Sequence, residues 1–536
     1  MPLPQIQVAQ LTLTNRCQCN CEHCGVASLR EVIREELTAS QIDGIYRDLR
    51  LAGCQVVDLF GGEPTLRHDL CEIIQRGKAY GFIVSLETNG YLLDQAFVRR
   101  LEAAGLDQIY LSLDDYRGEY HDRRRGREGC FARAVRALEL GAKTGIVMHV
   151  SVVPQTTDFF VSGDINRFMQ FVLEHGAERV RLLLPRFVGR SIRADGIPLG
   201  AGQEKELFSH VSAQYQDRIY VHTPGTPLGE RNVCTAKNVF CHIMSNGWVA
   251  PCPYFPLVFG DATREPIVDI FERIQSHPLV RLGGEHCPMR NPEYIDTHIR
   301  KLGPSRPFYS ITVQNHVDLG AACPPDCPGC AERKRSIPRP AEEVVRELRA
   351  VEPEYCRVEF YGGDAFLRDD LLAILDHVPP AMEVTLWTTC RRGGENAALW
   401  ERLRSYRIGA IRVLLPLGGG KDVEAALDAS VGLAEILKRV RAISSCGLPV
   451  HLYVPMDAPA ESHVTLARWI HHLGAERVYT YTREPAQPLP NSFACFGRGL
   501  GRVRLVWAQR DRPARPATGR DVPANPQANP RVEYDH

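Results

Sequence analysis

From Gln5 to Leu184 the chain alternates short apolar runs with amphipathic stretches, and no other feature restricts its fold as much. The periodicity predicts strands at Gln5–Thr14, Val56–Phe60, Phe82–Glu87, Gln108–Leu113, Ile146–Val153 and Val180–Leu184. Between them it predicts helices at Thr38–Ala52, His68–Tyr80, Asp94–Ala104, Phe131–Thr144 and Gly163–Glu174, the first with Thr38 as N-cap. Strands separated by helices pair in parallel through right-handed crossovers, since each crossover must cover the sheet. This is the order of a barrel or partial barrel, whose chemistry sits on the loops leaving the C-terminal strand ends.

The unusual residues fall on those loops. Strand one is followed by Asn15-Arg16-Cys17-Gln18-Cys19-Asn20-Cys21-Glu22-His23-Cys24 and strand two by Gly61-Gly62-Glu63-Pro64. Strand three is followed by Thr88-Asn89-Gly90, and strand four ends in Ser112-Leu113-Asp114. Cys17, Cys21 and Cys24 have C-x3-C-x2-C spacing, and their thiolates are soft ligands for an iron–sulfur cluster or zinc. Zinc would take a fourth ligand from His23 or Cys19, whereas a cluster would keep one iron open. The Gly-Gly turn brings backbone close to the rim, and its carbonyls with Glu63 are acceptors suited to an ammonium group. Taken alone it is a tight strand-to-helix connection. Ser112 and Asp114 suit ribose hydroxyls or are polar strand ends. The basic stretch His121-Asp122-Arg123-Arg124-Arg125-Gly126 is either a solvated loop or a carboxylate clamp.

Eleven of the 18 cysteines fall in three regions, and clustering inside a cell favours metal binding over disulfides. A cytoplasmic location is expected, because Met1-Pro-Leu-Pro-Gln lacks the basic start and apolar core of a signal peptide and no apolar run spans a bilayer. Basic and acidic residues both number 64, so a general grip on nucleic acid is not indicated.

The two loop motifs together resemble the radical S-adenosylmethionine (SAM) enzymes, whose signature is this cysteine spacing followed by a GGE-type turn on a (β/α)6 partial barrel. The resemblance covers residues 5–190. It implies a [4Fe–4S] cluster on Cys17, Cys21 and Cys24, with SAM chelating the open iron. His23 takes the place of the family's usual aromatic residue near the adenine. Gly61, Gly62 and Glu63 would receive the methionyl amino group, with Pro64 and Asn89 on the same cofactor-binding loops. Ser112 and Asp114 would lie near the ribose and Arg125 near the carboxylate. The implied chemistry is reductive cleavage of SAM to a 5′-deoxyadenosyl radical that abstracts hydrogen from a substrate, with electrons from a flavodoxin- or ferredoxin-type donor.

Further on, Cys234, Cys241, Gly247, Cys252 and Cys287 resemble the start of a SPASM or twitch extension, which implies one auxiliary cluster; zinc is the other reading. Self-comparison then finds a repeat. Cys323, Cys327 and Cys330 reproduce the C-x3-C-x2-C spacing, 306 positions after Cys17. Tyr361-Gly362-Gly363-Asp364-Ala365 follows Phe60-Gly61-Gly62-Glu63-Pro64 at a shift of 301, and Leu473-Gly474-Ala475-Glu476-Arg477-Val478 mirrors His175-Gly176-Ala177-Glu178-Arg179-Val180 at 298. In this copy Asn89 and Gly90 become Thr389 and Cys390, while Ser112 and Asp114 become Leu414 and Pro416, so it is expected to keep a cluster and to bind SAM poorly.

The expected fold is therefore α/β: two tandem partial (β/α)6 TIM-like barrels with a small Cys-rich auxiliary-cluster module between them. The boundaries are 1–225 for the catalytic barrel, 226–305 for the module, 306–505 for the second, degenerate barrel and 506–536 for a flexible tail. The function expected is a radical SAM enzyme acting on a peptide or protein. Maturation of a small cofactor such as a tetrapyrrole is the alternative within enzymes, and a non-catalytic iron–sulfur or zinc scaffold the alternative outside them.

Overall fold

The computed structural model describes residues 6–27, 29–154, 157–184, 186, 188–190, 203–222, 234–236, 238–282, 287–299, 311–312, 314–322, 338–349, 357–390, 397–415, 431–455, 474–483 and 500–508. The alternation appears as read. Strands β1 (Val8–Thr14), β2 (Val56–Gly61), β3 (Ile83–Thr88), β4 (Gln108–Ser112), β5 (Val147–Val152) and β6 (Arg179–Leu182) pair side by side in parallel. All seven residues of β1 are buried, as expected of a strand covered on both faces. The helix Ala39–Leu51 starts on a capping box: the Thr38 hydroxyl accepts from Gln41 N, and the Gln41 amide oxygen accepts from Thr38 N at 2.9 Å. It lays Ile42, Ile45, Tyr46 and Leu49 onto the sheet.

The structure departs from expectation at both sheet edges. Beyond β6 lies a seventh parallel strand, β7 (Ile219–Val221). On the other side, β8 (Phe240–Ile243) pairs in parallel with β1, followed by β9 (Trp248–Ala250) and, past the short strand β10 (Leu257–Val258), by β11 (Gly260–Asp261). The Cys-rich segment is thus no separate island between two barrels. Part of it continues the first sheet and pairs the outer edge of β1, whose backbone groups would otherwise lack partners.

β10 pairs with β12 (Ile311–Thr312). A second sheet follows. Strands β13 (Gln314–Asp318), β14 (Arg357–Tyr361), β15 (Glu383–Thr388), β16 (Ile408–Leu414), β17 (Val450–Pro455) and β18 (Arg477–Arg483) are parallel in chain order, and β19 (Leu500–Ala508) closes antiparallel on β18. β19 runs three residues past the expected start of the tail; 509–536 lie outside the described residues. The helix Ile267–Ser276 packs against this sheet, where Arg477 meets Asp269 and Glu272 and Arg357 bonds Ser276 Oγ at 3.0 Å. No helix among the described residues is long and apolar enough to cross a membrane.

Candidate active site

The cysteine loop leaves β1 at Thr14 and is held from two sides. Gly62 N donates to Thr14 O at 2.7 Å and Glu63 N to Arg16 O at 2.8 Å; Asn20 N donates to Arg125 O at 2.9 Å and Glu22 N to Arg124 O at 3.1 Å. The glycines serve this approach. A Cβ on Gly61 would stand 2.4 Å from Thr14 O, and one on Gly62 2.3 Å from Arg16 O. What they admit is the backbone of the cysteine loop itself.

Cys17, Cys21 and Cys24 border one cleft with Gly61, Gly62, Asn89 and Ser112. Cys19 does not border the cleft: it is 2 % exposed and packed with Cys130 as well as with the trio, and hydrogen bonding to Cys130 together with burial pushes it up to about 12 against the hydrogen bond to Cys17. Donors point at the sulfurs of the trio. Asn89 Nδ2 is 3.8 Å from Cys17 Sγ and Arg125 Nη1 is 3.8 Å from Cys21 Sγ. Hydrogen bonding to Cys19 and burial raise the Cys17 thiol, and burial raises Cys21 against the pull of Arg125. Binding a metal group would deprotonate both.

The other expected residues divide. His23 lines the cleft, and burial pushes its imidazole down to about 3, so it is neutral beside Asp114 at 3.7 Å. Glu63 is 1 % exposed and does not border the cleft. Its carboxylate accepts from Thr88 Oγ1 at 2.6 Å, Asn89 N at 2.8 Å and Thr65 N at 3.2 Å, tying the end of β2 to the end of β3. Pro64 is buried at the start of the short turn that follows.

Asp114 also lies off the cleft, fully buried, accepting from Val153 N at 3.1 Å and paired with Arg125 Nε at 2.7 Å. Burial pushes its carboxyl up, but Arg125, with His23, Arg124 and His121 behind it, outweighs this and holds it well below the usual range. Contrary to expectation, Asp114 faces Arg125 rather than the cleft, while Arg125 borders the cleft as well. A further guanidinium bordering the cleft is that of Arg30, anchored by a 3.1 Å bond to Cys19 O. The sequence reading passed over it because it is an isolated Arg.

Glu87 was also passed over, being hidden in an apolar strand. It borders the cleft from inside the barrel, bonded to Gln10 and Arg181. Burial, with nearby Asp58, pushes it up to about 8 despite Arg181.

Cys252 lies beside a second thiol group. Burial, then Cys287 and Cys234, push its thiol up. Arg186 borders the first cleft and stacks on the Tyr254 ring, two residues beyond Cys252. Cys241 does not join those thiols: it sits on β8 opposite Ala9, fully buried in the core, with the Cys54 thiol nearby. The period-2 strand pattern, not the cysteine spacing, decided its direction.

Cys323, Cys327, Cys330 and Pro416 lie outside the described residues. Around them the first site's framework recurs. Asp364 accepts from Thr388 Oγ1 at 2.6 Å, Thr389 N at 2.8 Å and Phe366 N at 3.0 Å, as Glu63 does from its three partners. Arg67 clasps Asp69 and donates to Leu13 O, and Arg368 clasps Asp370 and donates to Leu319 O. Cys390 keeps a left-handed φ of 57°, where Gly90 has 74°.

Residues 11–158 match the model of the radical SAM superfamily. The chain is 27% identical over 287 residues to an AdoMet-dependent heme synthase of Methanosarcina barkeri, covering 49% of this chain and 81% of that one. It is 30% identical over 290 residues to a probable GTP 3′,8-cyclase of Thermococcus kodakarensis, covering 49% and 92%. It is 26% identical over 215 residues to a PqqA peptide cyclase of Rhizobium meliloti, covering 40% of this chain and 56% of that one.

Proposed function

The chain belongs to the radical SAM superfamily, and from that membership we propose that it uses a cluster-bound SAM to modify a peptide or protein. The observation that carries this is the shared cleft: Cys17, Cys21 and Cys24 open onto it with Gly61 and Gly62, and Cys19 does not border it. The three thiolates would hold a [4Fe–4S] cluster, with Asn89 and Arg125 donating to their sulfurs. When bound, the cluster supplies the electron that splits SAM into methionine and a hydrogen-abstracting 5′-deoxyadenosyl radical.

The chain's own residues bind, orient and exclude water. The backbone at Gly61 and Gly62 faces the methionyl amino group, braced by Glu63. Arg30 and Arg125, both on the cleft, would take the carboxylate, and Ser112, which alone of the strand-four pair borders the cleft, would meet the ribose. Neutral His23 supplies a flat ring for the adenine. Phe60, Val153 and Leu184 keep the cleft dry.

Cys234, Cys252 and Cys287 would hold an auxiliary cluster, without Cys241. The second sheet is read as a diverged copy of the first barrel, carrying a cluster at Cys323, Cys327 and Cys330; the matched hydrogen bonds of Glu63 and Asp364 support that reading. We retain 1–225, 306–505 and 506–536 as working boundaries, with 226–305 as a segment joined to the first sheet. A flavodoxin- or ferredoxin-type protein would deliver the electrons.

The names of the relatives span a peptide, a nucleotide and a heme substrate. The auxiliary thiols favour the peptide reading, and the heme synthase match over 81% of its length favours tetrapyrrole maturation as the second. The test is anaerobic incubation with dithionite and SAM, first alone and then with a short peptide encoded beside the gene or with an iron porphyrin. Formation of 5′-deoxyadenosine with a mass change in the peptide supports the proposal. A change only in the porphyrin supports the second reading, and no 5′-deoxyadenosine from iron-loaded protein overturns both.

A further inference from the structure

Glu87 stands on β3, borders the cleft and keeps 15 % of its side chain exposed. Its Oε1 accepts from Gln10 Nε2 and Arg181 Nη1, both at 3.2 Å, and its Oε2 lies 3.1 Å from Arg181 Nη2. Arg181 in turn lies over the Tyr110 ring at 4.0 Å. Whether the fold itself needs this acid is answered by the second sheet.

By ladder position, counted from the Gly61-Gly62 and Gly362-Gly363 turns, Asp58, Glu87, Tyr110 and Arg181 correspond to Glu359, Trp387, Arg412 and Tyr479. The second sheet keeps a buried carboxylate–guanidinium pair with an aromatic ring beside it, but builds them from other strands. Arg412 Nη1 donates to Glu359 Oε1 at 2.9 Å and lies over the Trp387 ring at 5.3 Å, while Trp387 Nε1 also donates to Glu359. The acid of this pair comes from β14, and the place of Glu87 is taken by a ring that is 2 % exposed. The fold therefore does not require an acid at this position. The first sheet also still carries Asp58, bonded to Gln10 and to Ser85 at 2.7 Å each, so Glu87 is an acid additional to it.

SAM makes no call on this extra acid. In the reading above its amino group has the Gly61 and Gly62 backbone, its carboxylate Arg30 and Arg125, its ribose Ser112 and its adenine His23. What remains for Glu87 on this cleft is the substrate. Burial pushes its carboxyl up to about 8, so near neutral pH it keeps a proton and offers both a donor and an acceptor. A peptide amide offers the complementary pair, C=O and N–H.

We propose that Glu87 anchors the substrate in the cleft by hydrogen bonding to an amide group of the peptide. The inference rests on the peptide reading given above.

The test compares wild type, Glu87→Gln and Glu87→Met in the anaerobic assay with dithionite, SAM and the peptide encoded beside the gene. Both variants leave Arg181 without its carboxylate, but only Glu87→Met takes the donor and the acceptor from the cleft. In Glu87→Met the KM for peptide should rise, or the yield of modified peptide per 5′-deoxyadenosine fall, by at least about tenfold, as for one lost bond to a buried polar group. Glu87→Gln should stay within about threefold of wild type. If Glu87→Met does not fold, Glu87→Met/Arg181→Met, which buries no lone charge, takes its place. Equal losses in Gln and Met variants would reduce Glu87 to a partner of Arg181, and wild-type behaviour in both would remove it from the substrate; either result overturns the proposal. An equal fall in 5′-deoxyadenosine with and without peptide does the same, by assigning Glu87 to SAM. If wild type changes the porphyrin alone, or neither compound, the peptide reading itself fails and takes this inference with it.

Discussion

Arg125 Nε stands 2.7 Å from Asp114 Oδ2, and the two side chains are 9 % and 0 % exposed. Removing one partner leaves the other charged and unpaired in a dry place. Asp114→Asn is therefore expected to cost about 3–5 kcal/mol, read by urea denaturation. The depressed Asp114 carboxyl gives stability that is present above its unfolded value near 3.8 and lost as pH falls toward its folded value. The variant should show a shallower loss of stability in acid. An unchanged midpoint would mean that the pair contributes nothing.

The direction of each thiol predicts iron content. Alanine at Cys17, Cys21 or Cys24 should remove about four irons and abolish 5′-deoxyadenosine formation, whereas Cys19→Ala should keep both. Replacing Cys323, Cys327 and Cys330 together should remove a similar amount and leave SAM cleavage in place. Iron unchanged in the triple variant would refute a cluster in the second copy.

Gly62→Ala places a methyl 2.3 Å from Arg16 O, and neither backbone can yield without moving the cysteine loop. SAM cleavage should fall at least about tenfold, the equivalent of about 1.4 kcal/mol, and the unfolding midpoint should fall with it, since the clash is with backbone. Full activity in this variant would show that the approach of the two loops is not needed.

Glu87 titrates near about 8 when folded, against 4.5 in the free side chain. The folded state therefore holds an extra proton between these values, and stability falls as pH rises from 4.5 through about 8. Glu87→Gln should remove that slope, seen by comparing denaturation midpoints at pH 5 and above pH 8. Parallel curves for the two proteins would contradict the assignment.

Cys390 holds φ 57° where only glycine is at ease. At most positions Gly is less stable than Ala by about 0.5–1 kcal/mol. Here the order should vanish or reverse, so Cys390→Gly should unfold no earlier than Cys390→Ala. A clear advantage for Ala would argue against the left-handed geometry.

Much of this was legible in the sequence. Period-2 and period-3.6 patterns located β1 to β6 and their helices, and fixed spacing picked Cys17, Cys21 and Cys24 from among their neighbours. What escaped was set by distant partners. β7 and β8 have three and four residues, too few for a period, and β8 is fixed by pairing with β1 more than 200 residues earlier. Gly118–Arg125 looks like a solvated loop, being highly charged, yet it is a helix that buries His121 and Arg125. Asp114 looked ready for a ligand because only the fold reveals that it faces Arg125.

The placement of β8 against β1 has a consequence for how this polypeptide can be divided. A chain ending at residue 225 would keep every element of the cofactor cleft contributed by β1 to β5, but it would bare one whole margin of its innermost strand. Such a fragment should self-associate by strand addition rather than remain a working monomer. The two cysteine-bearing regions are in that sense inherited together: neither can be lost without unsealing the other.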